Sequence, residues 1–111
     1  MTKTLEGDIL DRLYTVIASR KGSDPEESYT AKLFNKGTAK IAQKVGEESV
    51  ETVIAALAEG PENVASESAD LLYHLMVLWA DRGVEPSDVW AALAKRQGIS
   101  GNVEKAARTN K

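Results

Sequence analysis

The 111-residue chain contains no cysteine. That absence excludes a disulfide framework, thiolate-ligated zinc, iron–sulfur clusters and thiol catalysis together. Aromatic residues are few: Phe34, Trp79, Trp90, Tyr14, Tyr29 and Tyr73 are all there are. Against an alanine-rich background this favours helices and argues against a large all-β fold. Long apolar runs are also missing. The nearest to one, Leu71 to Ala80, is interrupted by His74 and is too short to span a bilayer, and the opening MTKTLEGDIL has two acidic positions and no apolar targeting core. Nor is there an excess of positive charge: 14 Lys and Arg against 17 Asp and Glu leave a net −3. Broad binding to nucleic acid or anionic membrane would leave a basic footprint. The expectation is a soluble cytoplasmic protein with neither as a partner.

What is present suffices for one globular domain, with 42% hydrophobic and 28% charged residues. Leu5, Ile9, Leu13, Val16 and Ile17 share one helical face, which predicts a first helix over 5–20 with Thr4 as N-cap. Asp24 followed by Pro25 suggests the cap and first position of a short second helix running toward Phe34 and closed by Gly37. A third helix is expected, capped by Thr38 and running to Glu59, burying Ile41, Val45, Val50, Val53, Ile54, Leu57 and Ala58 and stopped by Gly60-Pro61. A fourth, over Glu62 to Arg82, carries Leu71, Leu72, Leu75, Met76, Val77, Leu78 and Trp79 around most of its circumference. A helix apolar nearly all round must be buried nearly all round, so one side is expected to pack on a second copy. Gly83 caps it, and a fifth helix begins near Pro86 and ends before Gly98. The fold class is therefore all-α, a bundle of four to five helices over residues 1–98 completed by dimerisation, with 99–111 as a poorly ordered tail.

Five carboxylates sit in two groups on the third and fourth helices: Glu47, Glu48 and Glu51, then Glu67 and Asp70. At ~100° per residue each group shares a face. The short Gly60-Pro61 connection makes the helices an antiparallel hairpin in which Glu51 lies level with Asp70. Glu67 lies level with Ile54, ~9 Å along the axis from Glu48 at ~1.5 Å per residue, a gap that leaning Glu side chains can narrow. Carboxylates converging on one point repel unless a cation compensates them, and a set of oxygens without His or Cys suits a hard ion, magnesium or manganese. For any single Glu the ordinary reading is a solvated helix face; interleaving with Leu, Val and Ile on core-forming elements argues otherwise for the group. Lys32, Lys36, Lys40 and Lys44 recur every four residues, a pattern poor for helix stability. Lysines beside a metal site suit a polyphosphate, which makes Lys36, Lys40 and Lys44 candidates for substrate binding. His74, the one histidine, lies among leucines and reads as a hydrogen-bonded core or interface residue.

The spacing Glu48-x-x-Glu51, fifteen residues, Glu67-x-x-Asp70 resembles the ExxE…ExxD pattern of the all-α nucleoside triphosphate pyrophosphohydrolases, the MazG-like superfamily. The words SYTAKLFNKG (28–37), KIAQKVGEESVETVIAA (40–56) and ESADLLYHLMVLW (67–79) are similar to those of the phosphoribosyl-ATP pyrophosphohydrolase family, over about residues 4–98. The resemblance implies Mg²⁺-dependent hydrolysis of 1-(5-phosphoribosyl)-ATP to 1-(5-phosphoribosyl)-AMP and pyrophosphate, the second step of histidine biosynthesis. It implies Glu48, Glu51, Glu67 and Asp70 as metal ligands and Glu47, Glu48 and Glu51 as catalytic residues, with Glu47 as a second metal ligand or orienting the attacking water. It also implies the stand-alone form, without a fused zinc cyclohydrolase. The alternatives are a house-cleaning pyrophosphohydrolase acting on other nucleoside triphosphates and a non-catalytic helical interaction module.

Overall fold

The computed structural model describes residues 7–97. Among these the chain forms five helices and no strand: α1 (Ile9–Ser19), α2 (Tyr29–Lys36), α3 (Thr38–Ala58), α4 (Pro61–Arg82) and α5 (Pro86–Ala94). The all-α class expected from the sequence is the class observed. Thr4, Leu5 and the tail 99–111 lie outside the described residues.

The third and fourth helices are long because nothing in their interiors breaks them, and they are separated by Glu59 and Gly60 alone. Pro61, expected to help stop the third helix, instead opens α4 at its first position, where proline's missing N–H costs nothing. The resulting α3–α4 hairpin makes the largest interhelical contact in the molecule, with α1 packed on α4 and α2 lodged against both. Gly83, at φ 76°, ends α4 in the left-handed conformation that glycine adopts without steric cost. A capping box follows, with Asp88 accepting from the Glu85 N–H at 2.9 Å, and starts α5.

Two expectations for the second helix are corrected. Asp24 does not cap it and Pro25 does not begin it. Asp24 instead organises a turn, accepting from the N–H of Glu26 through Oδ1 (2.9 Å) and from that of Glu27 through its carbonyl (3.0 Å). The helix begins at Tyr29, capped by Ser28, whose Oγ accepts from Ala31 N–H at 3.1 Å. Two cap signals four residues apart competed, and the hydroxyl immediately before the apolar-periodic segment prevailed. Gly37, at φ 96°, both closes α2 and precedes α3, so Thr38 is not a cap but the first residue of α3. Its Oγ1 donates to Asp81 of α4 at 2.5 Å.

The core joins Tyr14 and Ile17 of α1, Leu33 of α2, Ile41 of α3, and Met76, Val77 and Ala80 of α4. Tyr14 keeps its hydroxyl satisfied by donating to Val84 O at 2.8 Å. Trp79 and Trp90 meet edge to face at 6.1 Å, and Trp90 Nε1 donates to Asp11 at 2.9 Å, fastening α5 to α1 and α4. Ile41 is fully enclosed. Ile41→Ala should therefore remove about 2–4 kcal/mol of stability, measured as a lower urea midpoint at unchanged slope.

The expected burial along α3 is corrected more broadly. In the single chain Val50, Val53, Ile54 and Leu57 are exposed, Leu57 at 83%, while Ile41 and Ala55 fill the positions toward α4. On α4, by contrast, most of the apolar circumference is at least half covered, with Leu72 exposed. The apolar surface left without a neighbour is thus mainly on α3.

Candidate active site

The hairpin brings together what the spacing suggested. One carboxylate oxygen each from Glu48, Glu67 and Asp70 lies within 4.8 Å of the others. The axial offset between Glu48 and Glu67 is therefore bridged by their side chains. Glu48 is buried, Glu67 half-buried and Asp70 exposed, so the cluster opens to solvent from one side. Oε1 of Glu67 is sealed from solvent and has no hydrogen-bond partner. An ionisable oxygen in that condition is costly unless a cation neutralises it. Hard oxygen donors, one of them orphaned, fit a divalent cation such as Mg²⁺.

Glu51 is exposed on the turn after Glu48 and lies outside that closest set of three, yet its charge is felt at Glu67. Desolvation first, then the charges of Glu51 and Asp70, hydrogen bonding with Glu51 and the charge of Glu48 raise the Glu67 carboxyl above its ordinary value of 4.5. Glu47 shows the opposite shift. It is exposed, accepts from Gln43 Nε2 at 2.8 Å and pairs with Lys44 at 3.3 Å, and these two contacts hold its carboxyl below the ordinary range.

These opposite shifts separate in pH. A raised carboxyl contributes stability that is present below the unfolded value and is lost as pH rises through the folded one; a lowered carboxyl contributes stability lost as pH falls through its folded value. In chelator-treated protein, acidification from neutrality toward the ordinary carboxylate value should therefore first raise the melting temperature, through Glu67. Further acidification should lower it, through Glu47. Thermal melts across pH should lose the first phase in Glu67→Gln and retain it in Glu47→Gln.

Of the lysines, Lys44 reaches the cluster, with Nζ 3.3 Å from Glu47 and 3.8 Å from buried Glu48. Lys40 donates to Gln43 at 3.4 Å and so borders the Glu47 end. Lys36 stands in the last turn of α2, where its charge suits the helix dipole. Gln43 was not singled out from the sequence, although its i, i+4 spacing to Glu47 is a recognisable signal. His74 is buried, as expected of a core residue, and its Nδ1 lies 2.8 Å from the carbonyl of Asp70. Tyr29 approaches the other ring nitrogen, at 3.4 Å.

An antiparallel pair of long helices with carboxylates converging across it is consistent with the all-α pyrophosphohydrolase class that the motif resembles, the MazG-like superfamily. Comparison with known proteins narrows the class. The family model for phosphoribosyl-ATP pyrophosphohydrolase matches residues 10–97. A phosphoribosyl-ATP pyrophosphatase of Paramagnetospirillum magneticum is 65% identical over 96% of this chain and 97% of its own. Those of Azospirillum brasilense and Rhodospirillum rubrum are 68% and 64% identical, over 90% and 91% of this chain and 90% and 86% of theirs. The chain belongs to the phosphoribosyl-ATP pyrophosphohydrolase family.

Proposed function

We propose that this protein hydrolyses 1-(5-phosphoribosyl)-ATP to 1-(5-phosphoribosyl)-AMP and pyrophosphate, in the second step of histidine biosynthesis, with Mg²⁺ as the working ion and Mn²⁺ as a substitute. The observation that carries the chemistry is the convergence of Glu48 of α3 with Glu67 and Asp70 of α4, together with the unpartnered Oε1 of Glu67; the similarity to named relatives carries the substrate.

Glu48, Glu51, Glu67 and Asp70 would hold Mg²⁺, which when bound compensates phosphate charge and acidifies water. Glu48 is the buried anchor of that set. Glu51, exposed beside Glu67, completes it from the solvent side. Glu47, kept ionised by Gln43 and Lys44, stands at the rim and orients the attacking water. Water adds to the α-phosphorus in line, the bond between the α-phosphorus and the oxygen bridging it to the β-phosphorus breaks, and pyrophosphate leaves with that oxygen while the proton lost from the water passes to solvent. Lys44, Lys40 and Lys36 line the approach and neutralise the phosphate oxygens that the carboxylate site does not serve.

The exposed positions Val50, Val53, Ile54 and Leu57 fall on one helical stripe at i, i+3, i+4 and i+7, the pattern of a face that packs. A second copy of the chain covering that stripe makes the working unit a homodimer. No helix among the described residues is long and apolar enough to cross a membrane, and a cytoplasmic setting with a small nucleotide as sole ligand belongs to the same proposal. The test is turnover of phosphoribosyl-ATP by purified protein with and without Mg²⁺. Metal-dependent release of pyrophosphate is expected. Equal turnover of ordinary nucleoside triphosphates would instead favour a house-cleaning role, and no turnover at all an interaction module.

A further inference from the structure

Lys40 and Lys44 stand on the first two turns of α3, an end of the helix that its own residues equip poorly. Gly37, at φ 96°, leads into it without a side chain to cap it, and Lys40 places a positive charge in the first turn, against the dipole. The first backbone N–H of α3 to find an acceptor is that of Ile41, bonded to Gly37 O at 3.1 Å; among the described residues no side chain caps the three before it. The other helices are each provided for. Ser28 caps α2, a capping box opens α5, and α1 and α4 carry Asp11 and Glu62 in their first turns. Of the five described helices, α3 alone has neither a side-chain cap nor an acidic residue in that turn.

The missing carboxylate arrives from another helix. Thr38, the first residue of α3, donates through Oγ1 to Oδ2 of Asp81 at 2.5 Å, a charge-assisted bond between residues 43 positions apart. Asp81 is half-buried in the last turn of α4. That end of α4 is held from two further directions, by Lys21 Nζ donating to Ala80 O at 3.2 Å and by the Tyr14 hydroxyl donating to Val84 O at 2.8 Å. The anion is therefore presented from a fixed base. Beyond Thr38 the contacts run on toward the site: Lys40 donates to Gln43, Gln43 to Glu47, and Lys44 pairs with Glu47 and with buried Glu48. The α3–α4 hairpin is thus closed by its short turn at one end and by the Thr38 to Asp81 bond at the other, with the carboxylate cluster between.

We propose that Asp81 is a positioning residue: its carboxylate supplies from α4 the N-terminal anion that α3 lacks, and so holds in the helix the turns that present Lys40 and Lys44 to phosphate. Asp81 lies three turns beyond Asp70, ~16 Å along the axis, and acts through α3 rather than on substrate. The inference rests on the pyrophosphohydrolase reading for what the lysines bind; the cap itself stands on the geometry alone.

Asp81→Asn keeps the shape and an acceptor for Thr38 and removes the charge. Amide hydrogen exchange at Ile41, Ala42 and Gln43, whose acceptors are the carbonyls of residues 37–39, should quicken about fivefold, the scale of one lost cap. Affinity for magnesium pyrophosphate, by calorimetry, and KM for phosphoribosyl-ATP should both weaken about fivefold, with kcat changed less than about twofold. Adding Thr38→Asp to this variant returns a carboxylate to the first turn and should restore all three readings to within about twofold of wild type. In the wild-type background Thr38→Asp should instead weaken binding, because two carboxylates then face each other. Thr38→Val removes only the hydroxyl link, at an exposed position, and should move exchange, affinity and KM in the same direction as Asp81→Asn. Wild-type exchange at Ile41 to Gln43 in Asp81→Asn would overturn the proposal. So would faster exchange with unchanged pyrophosphate affinity and KM, a double variant no better than Asp81→Asn, or wild-type values in Thr38→Val. A wild-type protein that does not turn over phosphoribosyl-ATP would overturn the functional reading, and the exchange measurement would still decide the cap.

Discussion

Glu67→Gln should lower turnover about a thousandfold while making the chelator-treated protein more stable. The loss follows from removing one of the carboxylates proposed to hold the ion, since several kcal/mol of charge stabilisation at ~1.36 kcal/mol per decade amounts to about three decades. The gain follows from the position of the side chain. Its Oε1 is sealed from water without a partner, and its raised carboxyl is pressed by desolvation and by the charges of Glu51, Asp70 and Glu48. An amide removes the charge and keeps the shape. Addition of Mg²⁺ should raise the melting temperature of the wild type, because an ion that binds only the folded state stabilises it by mass action. The variant should respond weakly or not at all. Glu48→Gln and Asp70→Asn should lose activity similarly, but Glu48→Gln should also be less stable without metal, because Lys44 would lose its nearly buried partner. Wild-type turnover in Glu67→Gln, or an unchanged response to Mg²⁺, would remove Glu67 from the site.

The second large effect is expected on the opposite side of α3. Ile54→Asp should convert a homodimer into a monomer, weakening self-association by at least about a thousandfold, the scale of several kcal/mol for an unpaired charge placed in an apolar contact. Ile54 is half exposed in the single chain, so the substitution should leave helical content by circular dichroism nearly unchanged. Sedimentation equilibrium distinguishes the outcomes. A dimeric Ile54→Asp protein would show that the stripe of Val50, Val53, Ile54 and Leu57 is not the contact, and a monomeric wild type would show that no such contact forms.

The hairpin and its carboxylates were legible because they depend on local rules. Helical periodicity placed Glu48 with Glu51 and Glu67 with Asp70, and a two-residue connection fixed the register between them. Six helix boundaries, from the end of α2 to the start of α5, fell within a residue or two of expectation, since Gly37, Gly60-Pro61, Gly83 and Pro86 punctuate the chain unambiguously. What the pattern could not supply was the choice between two competent caps, and there Ser28 displaced Asp24. It also could not say which apolar residues of α3 meet α4. Val50, Val53, Ile54 and Leu57 follow a helical period as faithfully as Ile41 does, but whether the facing surface belongs to the same chain or another copy is not a property of the period. The differing environments of Glu47 and Glu67 were equally out of reach: adjacent motif residues differ because Gln43 and Lys44 happen to project toward one, and the hairpin interior encloses an oxygen of the other. The His74–Tyr29 contact joins residues 45 positions apart, and only the packing of α2 across α4 creates it.

Product analysis of phosphoribosyl-ATP hydrolysis, with pyrophosphate and orthophosphate scored separately against a panel of ordinary nucleoside triphosphates, tests the proposed function most directly. The expected result is stoichiometric pyrophosphate and phosphoribosyl-AMP from phosphoribosyl-ATP alone, abolished by chelator and by Glu67→Gln. Release of orthophosphate, comparable turnover of the free triphosphates, or turnover indifferent to chelator would contradict it.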